Sequence, residues 1–464
     1  MRWSLVFSAL VVACSDSGDD GTSPPPPTPV ESVAISPGPS LDLTVGATSQ
    51  LTATTRDAQG NVLSGRTISW STTAPGVATV SSGLVTAIAV GAAQIRATSE
   101  GKSGEVAVTV TTYPWSATGS LATGRTLHTA TLLADGRVLV TGGQTLDTPQ
   151  SLRSSELYNP TTGSWTATGN LTTGRAAHVA VRLPNGKVLV AGGVSVEQQT
   201  RLGSAEIYDP ATGTWTSAGA MVTARQAPAA VVLNDGRVLV IGGSGPNTNL
   251  DPLSSTEIYN PATNQWASAG SMTVARAGHT AVLFSNGKVL VSGGAAGTLS
   301  TPQLHASAEL YEPSTGQWTG TGNFLTARGF HIAVLLANGR TLIAGGSNFQ
   351  STAFGAADLY DPVSTGWTVT GSMLTARVSH TATRLPNGNV LVTGGTGTLG
   401  TTASVETYNA TTGTWSAAAA LRVARLNHAA VLLTNGKVLV VGGQGAGAST
   451  SAELFDPAAA FSRR

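Results

Sequence analysis

Cysteine is nearly absent from this 464-residue chain. Cys14 is its only one, so no disulfide can form within the chain and its fold must hold without such a staple. Charge is scarce as well: Asp, Glu, Lys and Arg make up 11% of the residues and balance to a net charge of +1. That leaves no basic face of the kind nucleic acid requires. No apolar run reaches the eighteen or so residues that a membrane-spanning helix needs. Aromatics are few (5%) and glycines many (56), which fits turn-rich β structure better than long helices. At this length two or more domains are expected.

What the chain does have is a repeat. The stretch Asp135-Gly136-Arg137-Val138-Leu139-Val140-Thr141-Gly142-Gly143 returns at Asn185, Asp235, Asn286, Asn338, Asn387 and Asn435, with starts 50, 50, 51, 52, 49 and 48 residues apart. Seven copies at that period predict a closed array of repeated units. Each copy reads as four strands. In the second, strand A begins at His178, B is Val188 to Ala191, C starts at Glu206 and D carries Trp215. Asn-Gly or Asp-Gly between A and B predicts a two-residue hairpin turn with positive φ at both positions. Strand B is apolar without alternation, as expected when sheets cover both of its faces.

Closure can be counted. Strands A, B and C occur seven times, but the chain ends after Phe455-Asp456-Pro457 with no strand D. The missing strand is supplied by Tyr113-Pro114-Trp115-Ser116-Ala117-Thr118 ahead of the first A. A seven-bladed propeller tied shut by its first strand follows, with no open sheet edge. The Gly doublet, the Tyr of strand C (Tyr158 in the first copy) and the Trp of strand D (Trp165) resemble the kelch family, over residues 113–461. The resemblance implies the fold and leaves function open between adhesion, scaffolding and enzyme activity.

The segment before the propeller is of other kinds. Residues 1–14 place one Arg before a short apolar run that ends at Val11-Val12-Ala13-Cys14, which resembles the bacterial lipobox. The resemblance implies acylation of Cys14, anchoring to a membrane through lipid alone, and a location at the outer surface of a bacterial envelope. Residues 15–29 form a proline-rich linker that favours an extended spacer. From 30 to 111, about seven short strands separated by turns predict a small β-sandwich around Trp70. Leu43-Thr44-Val45-Gly46, Ile68-Ser69-Trp70 and Gly83 to Ala87 with Gly91 resemble the bacterial immunoglobulin-like group 2 family, which implies a spacer or adhesion module. The fold class is therefore all-β: an Ig-like sandwich followed by a kelch-type propeller.

Residues present in every blade read as scaffold. An Arg precedes each strand A (Arg125 in the first copy), and in six copies His follows three residues later, as His128 does; the third copy has Pro228. An acid opens each strand C, as Glu156 does. All of these fall at the Gly-Gly end of a blade. With a two-residue turn, His128 pairs opposite Gly143. Gly142 and Gly143 would then leave room for the imidazole and for Arg125 to reach Glu156 in a bidentate pair. A metal ring made by the six His is disfavoured because the blades hold them apart, so no metal and no cofactor is expected. The basic residues that follow most A–B turns predict a solvated rim on the opposite face.

Specificity is expected where the repeat breaks, in the loops between strands B and C. These offer Asp147, Glu197, Gln198, Gln199, Arg201, Asn247, Asn249, Asp251, Gln303 and the non-repeated His305. No nucleophile–base pair stands out, so no catalytic residue is assigned. The leading expectation is a monomeric surface protein that binds a glycan or protein ligand. The alternative is a secreted carbohydrate-active enzyme, an isomerase, hydrolase or oxidase. The fold resembles that of copper-radical sugar oxidases, but those need a Tyr–Cys cross-link that Cys14 is too far from the propeller to form. A purely structural envelope protein is the third reading.

Overall fold

The computed structural model describes residues 27–148, 150–247, 251–297, 301–348, 352–446 and 449–460. Cys14 and most of the proline-rich linker lie outside them, as does Asn249. The chain divides into two compact units, Met1–Thr111 and Thr112–Arg464.

The first unit folds ten strands into three small sheets, three more strands than the sequence pattern suggested because very short pairings such as Val62–Leu63 carry little pattern. Strict alternation along Gly91–Ser99 and Lys102–Thr111 sends Ala93, Ile95, Ala97, Val106, Val108 and Val110 to one face. Most of these side chains pack with Leu43, Leu51, Ala78 and Val85 as the core. Trp70 is half-buried against that core and not enclosed by it.

The second unit is a ring of seven four-stranded antiparallel sheets. In the first blade strand A is Thr129–Leu132, B is Val138–Thr141, C is Ser155–Asn159 and D is Ser164–Thr168. All four residues of strand B are buried in every blade, since each B strand is covered by the blades on either side. Val138 and Val140, for example, pack with Leu439 and Val441 of the seventh blade. Burying such side chains on both faces stabilises the ring by about 1.5–3 kcal/mol each. The last blade takes Trp115–Ala117 as its fourth strand, with Trp115 opposite Phe455 and the rings 5.0 Å apart.

Aromatic residues join the blades at their outer edge. The Trp165 indole donates to the carbonyl of Gly119 (2.7 Å) and the Tyr158 hydroxyl meets Thr118 Oγ1 (2.8 Å), both on the strand that precedes the first blade. Trp115, Trp215, Trp266 and Trp415 make the same reach to a neighbouring blade. A Tyr or Trp here brings apolar area together with one polar atom that needs a partner, and in these blades the chain at or just after the preceding strand D supplies it, whereas Trp318 and Trp367 Nε1 find none.

The A–B turn is not the two-residue type. Leu133 N bonds Arg137 O at 2.8 Å, which leaves a three-residue loop, Ala134-Asp135-Gly136. Only Gly136 has positive φ (+85°), as in a type I turn closed by a glycine bulge. The register shifts by one, so that Thr129 faces Thr141. The Asn or Asp serves another purpose in all seven blades. Its side-chain oxygen accepts the backbone N–H two residues on, as Asp135 does from Arg137 (3.0 Å).

The basic residue that follows the turn is paired within its own blade in six blades. Where the turn is Asp, as at Asp135 and Asp235, the acid pairs with Arg137 or Arg237. Where it is Asn, the basic residue pairs with an acid ending strand C: Lys187–Asp209, Lys288–Glu312, Arg340–Asp361 and Lys437–Asp456. The sixth blade has Asn387, Asn389 and Asn409 and needs no pair. These half-exposed pairs add little stability, and Arg182 and Arg384, exposed at the ends of their A strands, add positive charge beside the turns.

Candidate functional site

At the Gly-Gly end, seven arginines lie fully buried. Arg125 Nη1 donates to the carbonyls of Gly142 (2.9 Å) and Ser154 (3.0 Å). Its Nη2 donates to Ser154 Oγ (3.1 Å) and Glu156 Oε1 (2.8 Å). The expected bidentate fork does not form, because the guanidinium divides its donors between one carboxylate oxygen and the backbone ends of strands B and C. The other oxygen, Glu156 Oε2, accepts the N–H of Ala122 (2.8 Å) in the segment that leads to strand A. Similar clamps hold Arg175, Arg225, Arg276, Arg377 and Arg425. Burial disfavours each guanidinium charge and the paired acid opposes that. The fifth blade departs from the pattern: Ala356 offers no hydroxyl, and the shorter Asp358 reaches Arg328 (2.7 Å) but holds the Leu325 N–H at only 3.5 Å. Burial raises the Asp358 pKa despite Arg328.

The arginine backbone joins the blades to one another. Gly143 N bonds Arg175 O (2.8 Å), and the series continues through every blade until Gly443 N bonds Arg125 O (2.9 Å) and closes the circle. This close approach is what demands glycine. A Cβ on Gly142 would stand 2.6 Å from His178 Cε1 and 2.7 Å from Arg175 O, and one on Gly143 would stand 2.8 Å from His128 Cβ. The doublet therefore seats two histidines: its own blade's at the second glycine and the next blade's imidazole at the first.

Partners for those imidazoles come from the preceding blade. Thr129 Oγ1 meets His178 Nε2 at 3.0 Å, Thr280 meets His331 at 3.0 Å and Thr381 meets His428 at 2.9 Å. Where the preceding blade has Ala429, Ala229 or Ile332 instead, neither ring nitrogen of His128, His279 or His380 has an aligned partner. The carbonyls of Val441, Ile241 and Ala344 favour a proton on these three rings without completing a bond. Where the preceding residue is Val179, the next blade has Pro228 and no imidazole at all. Burial first, then the neighbouring arginine charge, pushes His128, His279 and His380 down to about 3. The same causes bring His178 to about 3 and hold His331 and His428 well below the usual range.

Between each Arg and its His or Pro lies a residue with left-handed backbone, φ between 48° and 67°: Leu127, Ala177, Ala227, Gly278, Phe330, Ser379 and Asn427. Backbone bonds link several of these into an inner ring, such as Ala177 N to Leu127 O and Leu127 N to Asn427 O. Six of them, with four of the histidines, line a cavity of about 500 Å³ at the centre of this face. A second cavity of about 430 Å³ opens beside it between the fifth and sixth blades, and Phe330 lines both. No motif marks these positions, because six residue types share the seven places, with only Ala177 and Ala227 alike. The one sequence signal is a freely varying residue held between a fixed Arg and a nearly fixed His.

The loop residues singled out from sequence do not converge. Asp147 is exposed, and Glu197, Gln198 and Gln199 occupy the tip of a small hairpin between Val194–Ser195 and Thr200–Arg201. Glu197 reaches back to the Ser151 N–H (3.0 Å) and Arg201 is half-buried at the hairpin base. Asn247 donates to Asp251 (2.7 Å) within its own loop. Gln303 is exposed on another hairpin. His305 is held against the Ala275 carbonyl (3.3 Å), and burial lowers its pKa. These side chains belong to the first four blades, and Glu197 ties the second blade's hairpin to the first blade's loop.

Two outcomes are expected from the histidines. In the unfolded chain they protonate near pH 6.5, whereas four stay neutral in the fold down to about 3. The unfolded state then binds more protons, so stability is full above pH 6.5 and falls as pH drops toward 3. Well inside that window each group contributes about 1.4 kcal/mol per pH unit. Thermal melts from pH 7 to 5 should fall steeply, and His178→Gln should flatten the slope by one proton; a melting temperature flat over this range would contradict the assignment. Second, Ala429→Thr and Ala229→Thr supply the hydroxyl that His128 and His279 lack. Each should raise stability by about 1 kcal/mol, and an unchanged or lower melting temperature would refute the pairing rule.

Comparison with known proteins agrees with this architecture. Residues 29–110 match the bacterial Ig-like domain (group 2), and residues 105–294 match the KLHDC2/KLHL20/DRC7 Kelch-repeats domain. Comparison with curated proteins gives no match. Among solved structures, a fungal alcohol oxidase of the AA5 family in complex with copper is similar at 17% identity and a TM-score of 0.60. The match covers 74% of this chain and 76% of that one, a likeness of fold alone. The donor set does not suit a comparable metal: among the described residues no three His, Cys, Asp or Glu come together around a point. The imidazoles are spread around the ring, each against the first glycine of the preceding blade. The chain thus carries a bacterial Ig-like group 2 domain followed by a kelch-repeat propeller.

Proposed function

We propose that this protein is a recognition protein of the bacterial cell envelope, anchored through lipid on Cys14, with the Ig-like domain as spacer and the propeller binding a glycan or protein at its Gly-Gly face. One observation supports the reading above others. At the centre of that face the arginines are buried and paired and the histidines are buried, while the ring of residues between them, partly open in six of the seven blades, holds six different residue types. A hydrolase or isomerase needs a titratable group poised near neutral pH at its cavity, and the imidazoles here are held neutral. A rigid frame with variable, uncharged side chains at its mouth suits binding without turnover.

The test joins location to activity. The full chain should give saturable binding on arrays of glycans and bacterial surface proteins. It should release no hydrogen peroxide and cleave no bond when given the same glycans. On cells, the wild-type chain should hold this binding at the membrane, and Cys14→Ser should shift it to the soluble fraction. Turnover of any array member, or membrane retention unchanged by Cys14→Ser, would contradict the proposal.

A further inference from the structure

We infer that a cavity on the turn face, between the fourth, fifth and sixth blades, binds a small organic monocarboxylate. Its carboxylate meets Arg384, and its apolar part lies against Leu335 and Val363. The inference does not rest on the recognition reading above, which concerns the opposite face.

The cavity has a volume of about 680 Å³, within the range of small-molecule sites. In a repeat, departures from the pattern are informative, and three of them line this one cavity. Phe284 stands where the other six blades have leucine, and its ring stacks on Tyr360 with centroids 5.9 Å apart. Val363 stands where the others have Thr, Ala or Ser, and it is 92% exposed. Arg384 stands where five blades have Leu or Val, with Arg182 the one other arginine. The three residues belong to three successive blades, so only the ring brings them together.

Charge decides what this cavity can hold. Its charged lining residues are Arg340, Asp361 and Arg384, two guanidiniums against one carboxylate. Arg340 Nη2 lies 3.1 Å from Asp361 Oδ2, so that pair is already matched. The sixth blade supplies Arg384 with no acid, since Asn387, Asn389 and Asn409 occupy the places where other blades carry their ion pairs. Arg384 Nη1 donates to the Leu335 carbonyl of the fifth blade (3.2 Å), which fixes the guanidinium at the cavity. Its Nε and Nη2 make no hydrogen bond among the described residues, and such an edge offers two parallel N–H donors to the two oxygens of a carboxylate. A surplus of one positive charge suits a monoanion, whereas a phosphate dianion would be repelled by Asp361. The side-chain oxygens of Asn286 and Asn338 accept the backbone N–H of Lys288 and Arg340 (3.1 Å each), so their amide N–H groups face a ligand as donors. Leu335, Pro362 and Val363 add carbon surface that an inorganic anion would leave uncovered.

Calorimetric titration of the full chain at pH 7.5 with benzoate, phenylacetate and hexanoate, each beside its neutral amide, tests this. At least one acid should bind saturably at one site, about tenfold or more tighter than its amide, equal to about 1.4 kcal/mol. Arg384→Gln should lose about tenfold or more of that affinity, and Val363→Ser should also weaken it. Arg182→Gln should leave it unchanged, with melting temperatures showing that all variants fold. An acid and its amide that bind alike, or wild-type affinity in Arg384→Gln, would overturn the site. So would the lack of saturation by every acid below ~10 mM. Inorganic phosphate binding more tightly than all three acids would overturn the monocarboxylate. None of these results bears on the Gly-Gly face, so this inference and the recognition reading fail separately.

Discussion

The structure depends on one interaction, the buried guanidinium that precedes each strand A. Through its side chain an arginine such as Arg175 holds the ends of strands B and C and the acid of its own blade, and through its carbonyl it accepts the N–H of Gly143 in the blade before. The side chain and the backbone of a single residue thus connect both levels of the architecture. A carbonyl can approach that closely only where no side chain intervenes, so the arginine dictates the glycine doublet. The doublet in turn dictates where the imidazoles can pack. Desolvating seven such charges is costly, and it is offset by the carbonyl, hydroxyl and carboxylate oxygens that meet both terminal nitrogens of guanidiniums such as that of Arg175.

The same clamp shapes what the propeller can recognise. Because the guanidiniums are enclosed and their acids occupied, the centre of the face presents neither charge nor titratable chemistry. The residue that follows two places after each arginine is held in the left-handed region by its flanks, yet its side chain is free to change. Leucine, alanine, glycine, phenylalanine, serine and asparagine all occupy that position around the ring. The scaffold is repetitive so that this one position need not be. The fifth blade carries Phe330, and its own clamp is the one with a shortened acid and no serine.

Much of this was legible in the chain itself. A period near fifty residues, recurrent Gly-Gly and a strand D deficit matched by Trp115 led to the ring and its closure. The order Arg, His, Gly-Gly, acid placed these residues at one end of each blade. The turn was misread because Asn-Gly serves both a two-residue turn and a three-residue loop with a glycine bulge. The choice lies in Ala134 and its counterparts, which carry no distinctive signal, and the Asn side chain was acting as an acceptor for residue 137. The binding loops attracted notice because they are irregular and polar, yet Glu197 is taken up by the Ser151 N–H of the neighbouring blade's loop and Asn247 by Asp251 of its own. The mouth went unseen for the opposite reason: its residues share no identity, and their meeting depends on contacts between blades fifty residues apart. The pairing of His178 with Thr129 across that distance is of the same kind.

The central claim is that the arginine clamp holds each blade to itself and to its neighbour. A double-mutant cycle on Arg175 and Glu206 tests it most directly, with Arg175→Met, Glu206→Met and the double variant unfolded in urea at pH 7.5. Each single substitution strands a buried charge and is expected to lose about 3–5 kcal/mol. The double variant should lose much less than the sum, since it removes both charges together. Losses below about 1 kcal/mol that simply add, as for an exposed pair, would contradict the account.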